Sequence, residues 1–296
     1  MKQKLLASLF YFLPHHVISW LMFKAARIRW TPLKNLIIRI YTDLNPVKMH
    51  EAIEEDMFAY ESLNAFFTRA LKAECRPFEN NEINWLCPVD GSVSQAQAIK
   101  DGRIFQAKDH DYSLLELVGG DNKLADIFRN GQFATLYLSP GDYHRIHMPT
   151  TGTLQHMLYV PGRLFSVAPF TVNHIPRLFA RNERCVCYFE TEQGPMAMIL
   201  VGAINVSAIE TVWHGLITAK ARKIKSRKIR SQKVKQFDYS DKNIVLKRGE
   251  EMGRFNLGST VIVLATDKMK IDETIVADAE IKLGQCLALP NSTTAD

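Results

Sequence analysis

The sequence predicts an α+β protein: a β-rich body of mostly antiparallel sheets behind a helical N-terminus. Three observations carry this reading. Residues 1–42 mix bases with aromatic and branched apolar side chains in short stretches and hold no acid. Beyond Pro77, apolar runs rich in β-branched residues alternate with Gly and Pro turns, the mark of short strands. With 296 residues, 47% hydrophobic and 23% charged, the chain can bury a core without staples. This composition excludes disordered, collagenous and coiled-coil proteins, and a mean hydropathy of -0.11 excludes a polytopic membrane protein. The cysteines Cys75, Cys87, Cys185, Cys187 and Cys286 are odd in number and form no CxxC pair, which argues for a reducing compartment.

The N-terminal element comes first. Leu5, Leu6, Leu9, Phe10, Phe12 and Leu13 are followed, after Pro14-His15-His16, by Val17, Ile18, Trp20, Leu21, Phe23, Ile28 and Trp30. No uninterrupted apolar run approaches the roughly 20 residues that span a bilayer. Short helices with bases beside Trp, Phe and Leu suit in-plane docking on a membrane, with Trp20, Phe23, Lys24, Arg27 and Trp30 as the contacting residues. Each base near an anionic leaflet adds about 1 kcal/mol. The competing readings are a signal peptide, which lacks a small-x-small cleavage site, and a basic helical hairpin packed on its own core.

Charge supports an anionic partner surface. The net charge is +6, yet residues 1–42 carry seven bases and residues 220–235 carry nine, both without acids. The rest of the chain, with 21 bases against 31 acids, is at -10. The run from Lys220 to Lys235 has Ile224, Ile229 and Val234 at five-residue spacing, which suits neither helix nor strand. It reads as a solvated segment or a loop touching phospholipid. No nucleic-acid-binding module surrounds it, so no nucleic acid is expected as a partner.

Residues 46–72 have helical content that Pro77 ends, and the docking region is placed at residues 1–65 with the catalytic domain at 66–296. Strands are expected at Phe133–Leu138, before the Ser139-Pro140-Gly141-Asp142 turn, and at Cys185–Phe189, before Gln193-Gly194-Pro195. Met196–Val206 and Val261–Leu264 are also strand-like.

Three distant pieces could carry chemistry: Asp90 in Pro88-Val-Asp-Gly91, the pair His144 and His147 after the Ser139 turn, and Ser259 in Leu257-Gly-Ser-Thr260. Together they hold the parts of a nucleophilic triad, with Ser259 as attacker, a histidine as base and Asp90 or Asp142 as orienter. The Gly-x-Ser-x-Gly elbow of serine hydrolases is missing. Instead Gly258 leaves its own carbonyl open to the neighbouring hydroxyl, which favours self-reaction over attack on an outside substrate. One alternative is a zinc hydrolase using His144, His147 and Asp90. Another is a non-enzymatic anionic-lipid-binding module in which Gly258-Ser259 is only a turn.

Leu257-Gly-Ser-Thr260, Tyr143-His-Arg-Ile-His-Met-Pro149, Pro88-Val-Asp-Gly91 and Pro161-Gly-Arg-Leu-Phe-Ser-Val167 together resemble the bacterial, membrane-associated phosphatidylserine decarboxylases. Phe66-Phe-Thr-Arg69, Phe179-Ala-Arg-Asn-Glu-Arg184 and Glu251-Met-Gly-Arg-Phe255 extend the resemblance over nearly the whole chain, in the family's order. It implies a proenzyme that cuts itself between Gly258 and Ser259: Asp90 orients His147, His147 deprotonates Ser259, and the hydroxyl attacks the Gly258 carbonyl to form an ester. β-Elimination then releases a β chain of residues 1–258. Residue 259 passes through dehydroalanine, with loss of ammonia, to the pyruvoyl group that heads an α chain of 38 residues. The pyruvoyl carbonyl is the cofactor and Schiff-base site, and it accepts the electrons left when an α-amino acid loses its carboxylate. His144 is then the acid that reprotonates the product carbon. The implied partners are phosphatidylserine and anionic membrane lipid, with the αβ unit forming a homodimer at the cytoplasmic face of the bacterial inner membrane. Two stretches depart from the family pattern: Gly141, where a basic residue is expected, and the Lys220–Lys235 run.

Overall fold

The branched apolar runs become strands in the computed structural model, which describes residues 13–107, 110–204, 208–217 and 233–291. The N-terminal run Leu5–Phe12 and the basic stretch from Lys220 to Arg230 lie outside the described residues. In chain order the strands are β1 (Trp85–Leu86), β2 (Gly91–Ala98), β3 (Arg103–Ala107), β4 (His110–Ser113), β5 (Gln132–Leu138), β6 (Arg145–His147), β7 (Gly152–Val160), β8 (Arg184–Thr191) and β9 (Met196–Val201). They continue with β10 (Ala208–Thr211), β11 (Gly215–Leu216), β12 (Lys235–Asp238), β13 (Val245–Leu246), β14 (Glu251–Asn256), β15 (Ser259–Ala265), β16 (Met269–Ile271), β17 (Glu280–Ile281) and β18 (Cys286–Pro290).

A nine-stranded sheet runs β12-β7-β8-β9-β15-β5-β2-β17, with β13 also on β7, and its ladders are antiparallel. Its central strands, such as Met-Ala-Met-Ile-Leu-Val in β9, are buried on both faces and therefore read as continuous apolar runs. A smaller antiparallel sheet, β11-β10-β14-β6, lies beside it. The chain passes from β14 in the small sheet to β15 in the large one through Leu257 and Gly258 alone.

The N-terminus is helical, with α1 (His15–Ala25) and α2 (Thr31–Leu44), the latter carrying Pro32 in its first turn. Both helices join α3 (Leu63–Phe67) around a second, small core of Ala26, Ile38, Leu63, Phe66, Phe67 and Leu257. This core spans the expected boundary at residue 65. Outside it, α1 and α2 leave Val17, Leu21, Leu36 and Ile40 exposed, together with Trp30 at 68% and Leu44 at 75%. None of the described helices is long and apolar enough to cross a membrane.

Two expectations are corrected. Residues 46–72 are not one helical region: only the turn Met49–Glu51 and α3 are helical. Short polar side chains there bond the nearby backbone and close turns instead, Glu54 accepting from the Asp56 N–H at 2.9 Å and Asp56 from the Phe58 N–H at 2.8 Å. Ser62 then caps α3 through the Ala65 N–H at 3.2 Å. Further on, the strand begun at Met196 ends at Val201, because the Gly202 N–H turns to the Glu183 carbonyl at 2.8 Å.

Candidate active site

Three sequence pieces, far apart in the chain, meet at one end of the large sheet. Ser259 pairs with Leu138, Ser92 with Tyr137, and Ile281 with Gly91. At about 4.8 Å per strand, Gly91 therefore lies roughly 10 Å from Ser259, two strands away. Gly91 has φ +151°, and a Cβ there would stand 2.1 Å from the Tyr137 carbonyl oxygen. Gly91→Ala should cost about 3 kcal/mol or more of stability, read by urea unfolding of an uncut Ser259→Ala chain.

Asp90, just before that glycine, is buried and held from two sides. The Arg76 Nε donates to its carboxylate at 2.8 and 3.1 Å and Nη2 donates at 2.5 Å, while the Leu283 N–H donates at 2.9 Å. Arg76 Nη2 also reaches Glu51 at 2.6 Å, and these bonds hold the guanidinium pKa above its ordinary value. The backbone N–H of His147 donates to the Pro88 carbonyl at 2.9 Å, which ties the Asp90 turn to β6.

His147 is fixed at both ring nitrogens. Nδ1 lies 2.8 Å from the Gly249 carbonyl, which can only accept, so Nδ1 carries the proton. Nε2 is then the basic nitrogen and accepts the Tyr143 hydroxyl at 2.9 Å. Burial lowers the His147 pKa, against the Gly249 bond and the charges of Glu251 and Asp90. The expected contact between Asp90 and His147 is not made: among the described residues no hydrogen bond joins them. Asp90 instead pairs with Arg76 and acts on His147 through its field.

His144 stands just before β6 and has wholly different surroundings. It is fully buried, its ring centroid 3.9 Å from that of Phe67, and its Nδ1–H donates to the Asp142 carbonyl at 2.9 Å. Its Nε2 is sealed from solvent without a partner, and burial drives the imidazole pKa down to about 3. The two histidines thus sit in different surroundings, His144 fully buried against Phe67 and His147 half-buried beside Tyr143. Of the two candidate orienters, the Asp142 carboxylate closes its own turn on the Ser139 N–H at 2.7 Å and hydroxyl at 2.8 Å, and the carboxylates whose charge acts on His147 are Glu251 and Asp90.

The backbone entering the Gly258-Ser259 junction is strained at Leu257. Leu257 takes φ +84° and Gly258 φ +48°, and the former is a left-handed value for a branched side chain. Such a residue costs about 1–3 kcal/mol and persists only where its surroundings hold it. A Cβ on Gly258 would meet nothing within 4 Å, so that side of the residue is open. Nearby, a cavity of about 410 Å³ is lined by Arg69, Arg76, Asp90, Asp142, Tyr143 and Lys282 among others. Gly141 lets the Pro46 carbonyl pack where a Cβ would come within 2.5 Å, and Arg69 donates to the Gly141 carbonyl at 3.0 Å. Arg69 thus puts a base beside the turn at Gly141, where a basic residue is expected from the sequence.

These surroundings fit a carbonyl group carried on residue 259. The orphaned Nε2 of His144 is an unused proton site, and the Phe255 N–H binds the His144 carbonyl at 3.0 Å, four residues before Ser259. They do not fit zinc. Both His147 nitrogens are engaged and Asp90 is saturated by Arg76, and the described residues contain no group of three donors that could hold a metal ion. Sequence reasoning missed Arg76 and Gly249, which carry no local pattern, and gave Tyr143 no role although it stands in the histidine motif.

Of the five residues assigned to the membrane, Trp20, Lys24 and Trp30 are exposed. Phe23 is half-buried beneath the Arg27 guanidinium, 3.6 Å from its ring centroid, and Arg27 Nη2 donates to Asn256 Oδ1 at 3.1 Å. Arg27 is therefore turned toward the body.

A family model described as phosphatidylserine decarboxylase matches residues 63–289, and one described as PSD matches residues 5–42. The chain is 50% identical over 294 residues to the phosphatidylserine decarboxylase proenzyme of Pseudomonas putida strain W619, covering 98% of this chain and 99% of that one. It is 49% identical to the proenzyme of the same name from Pseudomonas aeruginosa strain LESB58, covering 99% of each. The Bordetella bronchiseptica proenzyme is also 49% identical, across 99% of this chain and 96% of its own.

Proposed function

The chain belongs to the phosphatidylserine decarboxylase family and is a decarboxylase, and we propose that it matures by cutting itself between Gly258 and Ser259 before decarboxylating phosphatidylserine to phosphatidylethanolamine at a membrane surface. The observation that carries the cleavage is the left-handed pair Leu257-Gly258, strained at Leu257, at the entry to an otherwise regular central strand. Cutting there releases the strain.

The surroundings of each residue support the part assigned to it. Neutral His147, with its proton on Nδ1, offers Nε2 to the Ser259 hydroxyl; in the uncut chain Tyr143 caps that nitrogen. The serine oxygen attacks the Gly258 carbonyl carbon, the C–N bond breaks, and the proton taken by His147 passes to the freed nitrogen. Asp90, fixed by Arg76, favours the transient imidazolium by its charge. A pyruvoyl carbonyl, formed from residue 259, supplies the electron sink for decarboxylation. His144 then serves the product carbon through Nε2, the bare nitrogen that the uncut chain keeps sealed, which takes up a proton from solvent once cleavage opens it and passes that proton on.

Intact mass spectrometry tests this directly. The purified protein should give two chains, the smaller of 38 residues beginning with a blocked, carbonyl-bearing group that reacts with hydroxylamine. One unbroken chain in active protein would overturn it, and is what a simple lipid-binding module predicts.

The exposed apolar residues of α1 and α2, with Lys24, Arg29 and Arg39 among them, support in-plane docking on anionic lipid at the cytoplasmic face. Trp30→Asp should weaken pelleting with phosphatidylglycerol vesicles, and raised salt should weaken it for the unaltered chain. Equal pelleting of both would reject the docking face. The αβ unit is proposed to pair as a homodimer, which analytical ultracentrifugation of the mature enzyme decides.

A further inference from the structure

We propose that the N-terminal helical layer, besides facing lipid, is a working part of the cleavage site: α1 and α2 hold the Asn256-Leu257-Gly258 turn in its left-handed conformation and so set the rate of self-cleavage. This rests on the cleavage reading above.

Two independent grips support it. Leu257 is 4% exposed and belongs to one buried cluster with Ala26 and Ile38 from the N-terminal layer and Leu63, Phe66 and Phe67 of α3. A leucine at φ +84° stays there only if packing repays the conformation, and this small core is where its side chain is buried. The second grip is polar. Arg27, just past the end of α1, donates to Asn256 Oδ1 at 3.1 Å, one residue before Leu257. Asn256 is bound on its other side to the Ala208 carbonyl and Glu210, both at 3.4 Å, so Arg27 closes a clamp between the layer and β10. The Asn64 N–H, donating to the Ala26 carbonyl at 2.8 Å, fastens the same end of α1 to α3.

The chemistry explains why such a clamp matters. Attack on a peptide carbonyl needs that carbonyl held in one place relative to the base and to the groups that meet the developing oxyanion. Two left-handed residues in a row take the Gly258 peptide out of the line of the strand, and the clamp keeps it there. Phe67, in the same small core, also packs its ring against His144, so this core reaches the settings of both reactions.

The test follows cleavage of freshly made full-length chain by gel and intact mass. Leu257→Ala and Arg27→Gln should each cut about tenfold slower or worse, while Leu257→Met, which refills the socket, should stay within about twofold of the unaltered chain. The pH profile of cleavage should keep its shape in all of them, because His147 is untouched. Leu257→Gly should also be slow, since it loses both strain and anchor. The same substitutions placed in Ser259→Ala protein should retain its circular dichroism; if Leu257→Ala fails there, Arg27→Gln and Ile38→Val carry the test. Cleavage of Leu257→Ala or Arg27→Gln at the unaltered rate would overturn the clamp, as would slowing that comes with a displaced pH profile. An unaltered chain that never cuts would overturn the cleavage reading instead.

Discussion

Replacing Ser259 with alanine should leave a single 33.7 kDa chain with decarboxylation lowered by about a factor of 10⁶, to background. The substitution is mild for the fold. Ser259 opens β15 and pairs with Leu138 through its backbone, and that ladder does not depend on the side chain. What disappears is the oxygen proposed to attack Gly258, and with it the source of the proposed carbonyl group. No other side chain can replace that group, because ordinary side chains cannot accept an electron pair from an α-carbon. Measurement is by intact mass and by release of carbon dioxide from phosphatidylserine in mixed micelles. Two chains from Ser259→Ala protein would refute the assignment. Ser259→Thr keeps a hydroxyl and should cut, slowly, because its added methyl crowds the attack.

The second large effect separates the two histidines. His147→Ala should stay uncut, whereas His144→Ala should cut yet decarboxylate at least about 10²-fold more slowly. Their surroundings give the reason. His147 has one nitrogen on a carbonyl and a basic nitrogen under the Tyr143 hydroxyl, which suits a base in the intact chain. His144 has its free nitrogen sealed against Phe67 and can serve only once the chain is cut. Uncut protein from His144→Ala would break this division.

The pH dependence has a definite sign. Burial lowers the His147 pKa, so the imidazole stays neutral below the usual range near 6.5 and cleavage should hold its rate into mild acid before falling. Stability shifts the same way. His144 has its folded pKa depressed to about 3 against about 6.5 unfolded, so below about pH 6.5 only the unfolded chain takes up that proton. The uncut Ser259→Ala protein should therefore lose stability as pH falls through that window, by up to about 1.4 kcal/mol per pH unit from this group. Urea midpoints at pH 7 and pH 5 check it; equal midpoints would contradict the buried neutral imidazole.

The strand core was legible in the sequence because burial on both faces demands uninterrupted branched residues, as in β9 and β15, and Gly and Pro mark where such runs end. The candidate site residues were legible as motifs as well. Asp90, His144, His147, Gly258 and Ser259 stand in short motifs, and Gly258 beside Ser259 already suggests self-reaction. Residues 46–72 misled, since their helical composition is overruled by Glu54, Asp56 and Ser62 bonding the local backbone.

What the sequence determined by itself, then, was every feature set by near neighbours: which segments can be buried, where turns fall, which hydroxyl adjoins which carbonyl. Tertiary structure alone decided the partners. It gave Asp90 to Arg76 rather than to His147, set the two histidines in different surroundings, sealed one nitrogen and capped another, and brought Arg27 and Ile38 against the turn 230 and 219 residues away at Leu257. Such pairings depend on strand register and on chain segments hundreds of residues apart, and no local spacing encodes which of two nearby acids a buried cation will claim.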